Sequence, residues 1–291
     1  MKTFVLTFGV CLFLTVTAAQ EPVRSVELSM MDNAIDDRFY NCTEKTEEKV
    51  IQVYFPREIQ TTPNFQEAWK KAETCAQKKL VTLQTKSNQL TLNHTRALCV
   101  YTANVPNLYD PLNSALRTGA VTYSTPAFQY HALYFWITTA LQILREPCQT
   151  TYRRTNIVIN GNKGDKIRFG QFASSSKHPN LSGFGSKTCF HIKTCLGVYI
   201  QKYSIYPEQE VLIPSFEMFE IVHVAYGSYE GLKCNKIFVL NHVTAPKQTK
   251  LNCKAANHNQ PIRANVPLIL IVLAFGWFAI ESISNDKMRN I

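Results

Sequence analysis

The spacing of apolar residues changes once along this chain, near residue 148, and that change restricts the fold more than any other feature. Before it, apolar residues recur at helical intervals; after it they come in short runs suited to strands. Phe65, Ala68, Trp69, Ala72 and Ala76 mark one helix, with Asn64 as its candidate cap. A second is expected from about Asn88 to Thr102. Asp110-Pro111 opens a short helix with a capping side chain and a first-turn proline, and Gly119 closes it. Thr125-Pro126 precedes a long apolar helix carrying Phe128, Tyr134, Phe135, Leu141 and Leu144. Gln129, His131 and Gln142 interrupt it and Pro147 lies just past it, so it reads as a buried core helix and not a membrane span. Strand candidates follow at 156–159, 166–169, 198–205, 211–213, 218–225 and 236–240. Short strands without alternating helices argue against a doubly wound parallel sheet. The expected class is α+β, with a helical part at about residues 36–147 and a strand-rich part at about 148–245.

The two ends read differently from the middle. Lys2, the apolar stretch Phe4 to Val16 and the small residues Thr17-Ala18-Ala19 form a secretory signal covering residues 1–19. A single domain is expected over 20–254. Residues 255–291 combine the small patch Ala255-Ala256-Asn257, a polar spacer and the apolar run Val266 to Ile280, the order of a glycolipid-anchor addition signal that is removed. The polar stretch Glu281 to Ile291 departs from that order, and a peptide span or a secreted form stand as alternatives. Either way the folded part is extracellular. Asn41, Asn93 and Asn180 each head an Asn-X-Ser/Thr acceptor for glycosylation.

Cysteine usage fits that compartment. Setting aside Cys11 in the leader, Cys42, Cys75, Cys99, Cys148, Cys189, Cys195, Cys234 and Cys253 are an even set, suited to disulfides. No Cys-x-x-Cys pair or close His-Cys cluster is present, so no metal site is expected. The formal charge of +10 suits attraction of an anionic dinucleotide. Lysines and arginines are scattered, and nucleic-acid binding is not expected. Neither of the common phosphate loops, G-x-G-x-x-G or G-x-x-x-x-G-K-S/T, occurs.

Three local features carry chemistry. Glu208-Gln209-Glu210 places two carboxylates on one side of an extended backbone, able to address one pocket. Chemistry through an oxocarbenium ion needs a carboxylate beside the sugar, and paired carboxylates titrate apart. Read alone, the same residues also describe a solvated acidic turn. The run Gln171-Phe172-Ala173-Ser174-Ser175-Ser176 supplies hydroxyls that can hold a ribose, and Tyr152-Arg153-Arg154 supplies guanidinium groups that can clamp phosphate.

In order and spacing these features resemble the vertebrate ecto-mono-ADP-ribosyltransferases, the arginine-specific enzymes with an arginine, serine, glutamate signature. The resemblance rests on Tyr152-Arg153, on Arg168 to Ser176, on Thr194-Cys195-Leu196-Gly197-Val198 and on Tyr206-Pro207-Glu208-Gln209-Glu210-Val211-Leu212-Ile213-Pro214. Tyr101-Thr102, Asn113 to Arg117 and Ala140-Leu141-Gln142 add to it, and it spans roughly residues 36 to 240. It implies a mixed, sandwich-like β-sheet core that binds NAD, with the helical part packed against it. It also implies NAD as co-substrate with no permanently bound cofactor, and arginine side chains of extracellular or surface proteins as acceptors. A monomer is expected.

By position, the resemblance makes Arg153 the contact to the dinucleotide and Ser174 the serine that orders the ribose and the catalytic glutamate. Glu210 becomes the catalytic glutamate, and Glu208 the residue that orients and deprotonates the incoming guanidinium. Phe184 is either a stacking surface for nicotinamide or a loop anchor. The resemblance pairs Cys148 with Cys195 beneath the site and Cys42 with Cys234. Cys75 with Cys99 is a guess between neighbouring helices, and Cys189 and Cys253 stay open. One departure stands out: the family often has glycine after the dinucleotide-binding arginine, and this chain has Arg154. A NAD glycohydrolase with little transfer, and a silent binding domain of the same shape, are the alternative readings.

Overall fold

The structure is a computed structural model that describes residues 25–83, 90–103, 105–204 and 208–257. The expected signal, the apolar C-terminal run and Tyr206-Pro207 lie outside the described residues. A short strand, β1 (Ser25–Glu27), precedes six helices. These are α1 (Thr43–Lys49), α2 (Phe55–Thr61), α3 (Phe65–Leu83), α4 (Leu92–Thr102), α5 (Tyr109–Thr118) and α6 (His131–Ile143). Sequence reading passed over α1 and α2, whose lysines and glutamates mask any apolar period. A π-helical turn at Val50–Tyr54 joins them. Pro56 cannot donate a helical hydrogen bond, and a widened turn is a usual way to absorb that loss.

Local chemistry sets where the helices begin. Asn64 takes a left-handed backbone (φ 62°), which asparagine tolerates, and its carbonyl accepts the Ala68 N–H. The second helix starts at Leu92, because Thr91 and His94 form a reciprocal cap there. Asp110 lies inside α5 and does not cap it; the Asn107 side chain accepts the Asp110 N–H at 3.2 Å and takes that role. Gly119 has an ordinary φ of −82° and is needed for space, since a Cβ there would meet the Ala115 carbonyl at 2.5 Å. The apolar helix starts at His131, so Phe128 precedes it and Leu144 caps its end. Glu58 from α2 sets that start: its carboxylate accepts the His131 and Ala132 N–H groups, each at 3.0 Å. From His131 to Leu141 every residue of α6 is buried, with Trp136 stacked on Trp69 at 5.0 Å.

The second half supplies β2 (Gln149–Thr155), β3 (Val158–Asn160), β4 (Lys166–Arg168) and β5 (Ala173–Ser176). It continues with β6 (Thr188–Thr194), β7 (Val198–Tyr199), β8 (Glu210–Ile213), β9 (Met218–Tyr229) and β10 (Leu232–Val243), and a last helical turn, α7 (Lys254–Asn257). Eight strands form one mixed sheet in the order β4-β9-β10-β6-β2-β5-β8-β7, and β1 pairs with β3 in a separate ribbon. Only the β10–β6 pairing in the large sheet is parallel. The strand expected over 198–205 shrinks to β7, and β6 was not foreseen because His191, Lys193 and three threonine or cysteine positions break its apolar run. The helices share one core with Phe172, Val198, Ile200 and Leu212, so the fold is α+β with the helical part packed on the β5–β8 end of the sheet.

β2 and β5 meet at a single residue pair, Tyr152 with Ser176. Thr151 anchors that junction by donating to the Ser176 carbonyl at 2.9 Å, and Arg153 donates to the Ser174 carbonyl at 2.5 Å. Beyond the junction the two strands have no further ladder, and the space between them is where the site lies.

The disulfides correct one expectation. Cys42 bonds Cys253 and not Cys234, which bonds Cys189; Cys148 bonds Cys195 and Cys75 bonds Cys99. The reason is that the chain runs on past β10 and returns to its own start. Leu251 N–H donates to Asp36 at 3.0 Å, Cys253 N–H donates to Asp37 at 2.9 Å, and Tyr54 donates to the Ala255 carbonyl at 2.7 Å. Cys234, on β10, faces the strand β6 that carries Cys189. Closing so long a loop with Cys42–Cys253 limits the unfolded chain by on the order of 5 kcal/mol in the chain-entropy account.

Two buried groups tie stability to pH with opposite signs. Burial pushes the Asp37 carboxyl up to about 6 despite four hydrogen bonds, and burial pulls His94 down to about 4. The raised Asp37 stabilises most below its unfolded value and loses that contribution as pH rises through 6. The lowered His94 stabilises above its unfolded value and loses that contribution as pH falls through 4. Between pH 4 and 6 the two offset each other. His94→Gln should therefore give a protein whose stability improves on acidification from pH 6.5 to 4, by about 3 kcal/mol relative to the parent slope. Denaturant midpoints at stepped pH check this, and parallel slopes would refute it.

Candidate active site

A cleft of ≈ 400 Å³ opens between β2 and β5, walled by both strands, by the end of α4 and by the loop after β5. Arg153, Ser174, Phe184, Glu208 and Glu210 all line it, so the residues singled out in the sequence are brought together. Tyr101, Tyr109, His178 and Leu181 also line it and had been given no role.

Glu210 begins β8, directly across from Ser176 on β5, which sets Ser174 on the diagonal. Diagonal neighbours lie within reach of a long side chain, and the Glu210 carboxylate takes hydrogen bonds from Ser174 and Ser204. Glu210 is 9% exposed, and burial pushes its pKa up. The serine hydrogen bonds and Arg153 pull the other way, while Glu208 adds to the rise. The carboxylate thus sits in a poorly hydrated place with a cation nearby and a second acid beside it.

The two glutamates do not share a face by simple strand alternation. Gln209 between them is left-handed (φ 51°), and its N–H donates to the Gln201 side chain at 2.5 Å. The Glu208 carbonyl accepts from Ser176 at 2.7 Å, and the Gln209 carbonyl from the Lys177 N–H at 3.2 Å. A tight turn ahead of β8 therefore delivers Glu208 to the same cleft.

The helical half holds the serine strand in place. Tyr101 on α4 donates to the Phe172 carbonyl at 3.2 Å, and Asn113 on α5 accepts the Phe172 N–H at 3.1 Å. Asn113 also donates to the Tyr101 hydroxyl at 3.2 Å, and Tyr101 reaches Ser174. Burial raises Tyr101 well above the usual phenol range, so it stays a neutral donor. On the far side, Thr194, Cys195 and Leu196 form a turn whose hydroxyl and N–H groups donate to the fully buried Glu217, at 2.6, 2.8 and 3.1 Å. That turn leads into β7, which pairs with β8. Arg168 is structural: it pairs with Asp36 at 3.0 Å and donates to the Met30 carbonyl at 2.7 Å.

Arg154 neither blocks the cleft nor stands free. Its guanidinium donates to the Pro179 carbonyl at 2.8 and 2.6 Å, to the Lys233 carbonyl at 3.0 Å and to the Gly185 carbonyl at 3.3 Å. It thereby clamps both ends of the segment carrying Leu181 and Phe184 to the end of β2. Gly185 has φ 125° and lies so close to that strand that a Cβ would meet the Thr155 carbonyl carbon at 2.4 Å. Phe184 is 53% exposed on a 3₁₀ turn (Ser182–Phe184) at the cleft. Arg154→Gly should release this segment and raise KM for a nicotinamide dinucleotide about tenfold, the loss of one or two charge-assisted hydrogen bonds, with a smaller change in kcat. Steady-state kinetics measure that split; an unchanged KM would separate the clamp from binding.

Among the described residues no cluster of histidine, cysteine or carboxylate side chains suits a metal, and no helix is long and apolar enough to cross a membrane. The site's chemistry is that of one buried carboxylate, one companion carboxylate, hydroxyls, an arginine and an aromatic ring.

Comparison with known proteins agrees with this inventory. The profile of the family described as NAD:arginine ADP-ribosyltransferase matches residues 28–233. Ecto-ADP-ribosyltransferase 5 of Bos taurus is 36% identical over 218 residues, 70% of this chain and 68% of that protein. T-cell ecto-ADP-ribosyltransferase 1 of Mus musculus is 35% identical over 202 residues, 67% and 68% of the two chains. Among solved structures, the eukaryotic mono-ADP-ribosyltransferase ART2.2 aligns with a TM-score of 0.63 at 30% identity, over 78% of this chain and 98% of that one. A mutant of the same protein in complex with NAD aligns with a TM-score of 0.62 at 29% identity, over the same shares.

Proposed function

The chain belongs to the NAD:arginine ADP-ribosyltransferase family, and from that premise we propose how its cleft transfers ADP-ribose from NAD to an arginine of an extracellular protein. The observation that carries the reading is the convergence of Glu210, Glu208, Ser174 and Arg153 on one cleft. Arg153 holds the dinucleotide electrostatically and Phe184 stacks on the nicotinamide ring. Ser174 positions the ribose and the Glu210 carboxylate, which it hydrogen-bonds already. The bond from ribose C1′ to the nicotinamide nitrogen breaks, its electron pair leaves with neutral nicotinamide, and positive charge spreads over C1′ and the ring oxygen. Glu210, ionised and poorly hydrated, stabilises that charge where a low local dielectric makes it count.

Glu208 sets the acceptor. A charged guanidinium has no free electron pair to offer, so it must lose a proton as its nitrogen bonds to C1′. Glu208 aligns the guanidinium and takes that proton. Water in the same position gives hydrolysis. The test is NAD consumption by the folded domain with and without a guanidino acceptor. Nicotinamide release that rises with acceptor, together with ADP-ribosyl-guanidine product, supports the reading; release without adduct would replace it with glycohydrolase activity.

NAD is a co-substrate here and no permanent cofactor is needed. The cell-surface location follows from a lipid anchor added near the C-terminus. Burial of Ala255 and Ala256, with Cys253 disulfide-bonded beside them, favours attachment at Asn257 or a residue after it. The residues assigned here all belong to one chain, which suits action as a monomer.

A further inference from the structure

The three glycosylation acceptors sit in unlike surroundings. Asn93 is half-buried in the first turn of α4, and its acceptor partner Thr95 is fully buried and donates to the Thr91 carbonyl at 3.2 Å. Asn41 adjoins the Cys42–Cys253 bridge. Asn180 and its hydroxyl partner Ser182 are both exposed, as are Asn41 and Thr43, but of these two sites only Asn180 has cleft-lining residues beside it. It lies between His178 and Leu181, both in the wall.

Its position is fixed. The Arg154 guanidinium holds the preceding Pro179 carbonyl through two N–H groups, at 2.8 and 2.6 Å, and the Gly185 carbonyl at the end of the segment at 3.3 Å. Within it the Ser182 N–H donates to the Asn180 carbonyl at 2.9 Å. Anything covalently attached to Asn180 is therefore rooted at the rim of the cleft and cannot swing away with its loop.

We propose that Asn180 carries an N-linked oligosaccharide that stands at the mouth of the cleft and selects acceptors by size. The linkage forms in the secretory pathway between Asn180 Nδ2 and C1 of the oligosaccharide. The lipid diphosphate carrier departs with the C1–oxygen bond pair, and the amide gives up one proton. NAD and free guanidino compounds pass a flexible sugar chain. A folded protein must bring its surface to the rim for its arginine to reach Glu208, and there the sugar occupies the approach. This rests on the transferase reading above, whose failure shows separately as absence of NAD turnover.

The experiment compares the secreted wild type, Asn180→Gln, Ser182→Ala, and wild type trimmed by an endoglycosidase to a single sugar after folding. Peptide mass mapping reads occupancy of Asn180. Transfer to a folded arginine-bearing protein, transfer to arginine methyl ester and NAD hydrolysis are measured in parallel. The expected result is an occupied Asn180 and a rise of about tenfold in kcat/KM for the protein acceptor in all three sugar-depleted forms, the scale of a restricted approach. The small acceptor and hydrolysis stay within about twofold, below the level that marks a changed site. The trimmed wild type needs no substitution and so guards against a folding defect in either variant. An unoccupied Asn180, or equal changes for large and small acceptors, overturns the proposal.

Discussion

Glu210→Gln is expected to abolish hydrolysis and transfer together, lowering kcat by about a thousandfold, the cost of removing one preorganised charge partner from a transition state. The substitution keeps the shape and one acceptor oxygen, so the hydrogen bonds from Ser174 and Ser204 have somewhere to go. What it removes is the negative charge opposite C1′. NAD binding, which the proposal assigns to Arg153 and Phe184, should change little, so the loss falls on kcat with KM nearly constant. Burial raises the pKa of Glu210 above the ordinary glutamate value. Because the ionised form is the working one, kcat/KM must fall on the acid side through a pKa above 4.5, and this limb should vanish in the variant's residual rate. A variant with half the parental rate, or an acid limb at the ordinary glutamate value, would remove Glu210 from the centre of the reaction.

Glu208→Gln should split the two activities. Transfer to a guanidino acceptor falls by about a hundredfold, within the range for loss of a positioned base, while hydrolysis stays within a few-fold. The asymmetry follows from the acceptors: water can shed its proton to the solvent lining the open cleft, whereas a guanidinium must be neutralised in place. The left-handed Gln209 backbone that delivers Glu208 is unaffected by the change, so Glu210 keeps its position. Product analysis by chromatography separates free ADP-ribose from the adduct. Equal loss of both products would make Glu208 a partner of Glu210 and not of the acceptor.

The candidate site residues were legible through the order and spacing that carry the family resemblance, and Arg153, Ser174, Glu208 and Glu210 line one cleft. What holds them was not legible. Glu58 caps a helix that begins 73 residues later, and Asn113 reaches Phe172 across 59. Such bonds join residues with no shared period, and a lone glutamate or asparagine in a chain looks like surface. The pairing of Cys42 failed for a related reason: the resemblance that supplied it ends near residue 240, and the segment that carries Cys253 follows the last strand. Arg154 posed the opposite problem. A second arginine after Arg153 invited a role inside the pocket, and only the carbonyls of Pro179, Gly185 and Lys233 around it reveal a brace. Helix starts shifted for local reasons, as at Thr91 with His94, where the capping pair outcompetes the apolar count.

The return of the chain to its own beginning has a mechanical consequence. A pull entering at Asn257 meets the Cys42–Cys253 sulfurs before it reaches β10, and passes through them into α1. The hydrogen-bonded rungs that frame the cleft therefore lie off the line of force. If the domain is held by the anchor proposed above, a tug on that tether leaves the geometry around Glu210 still.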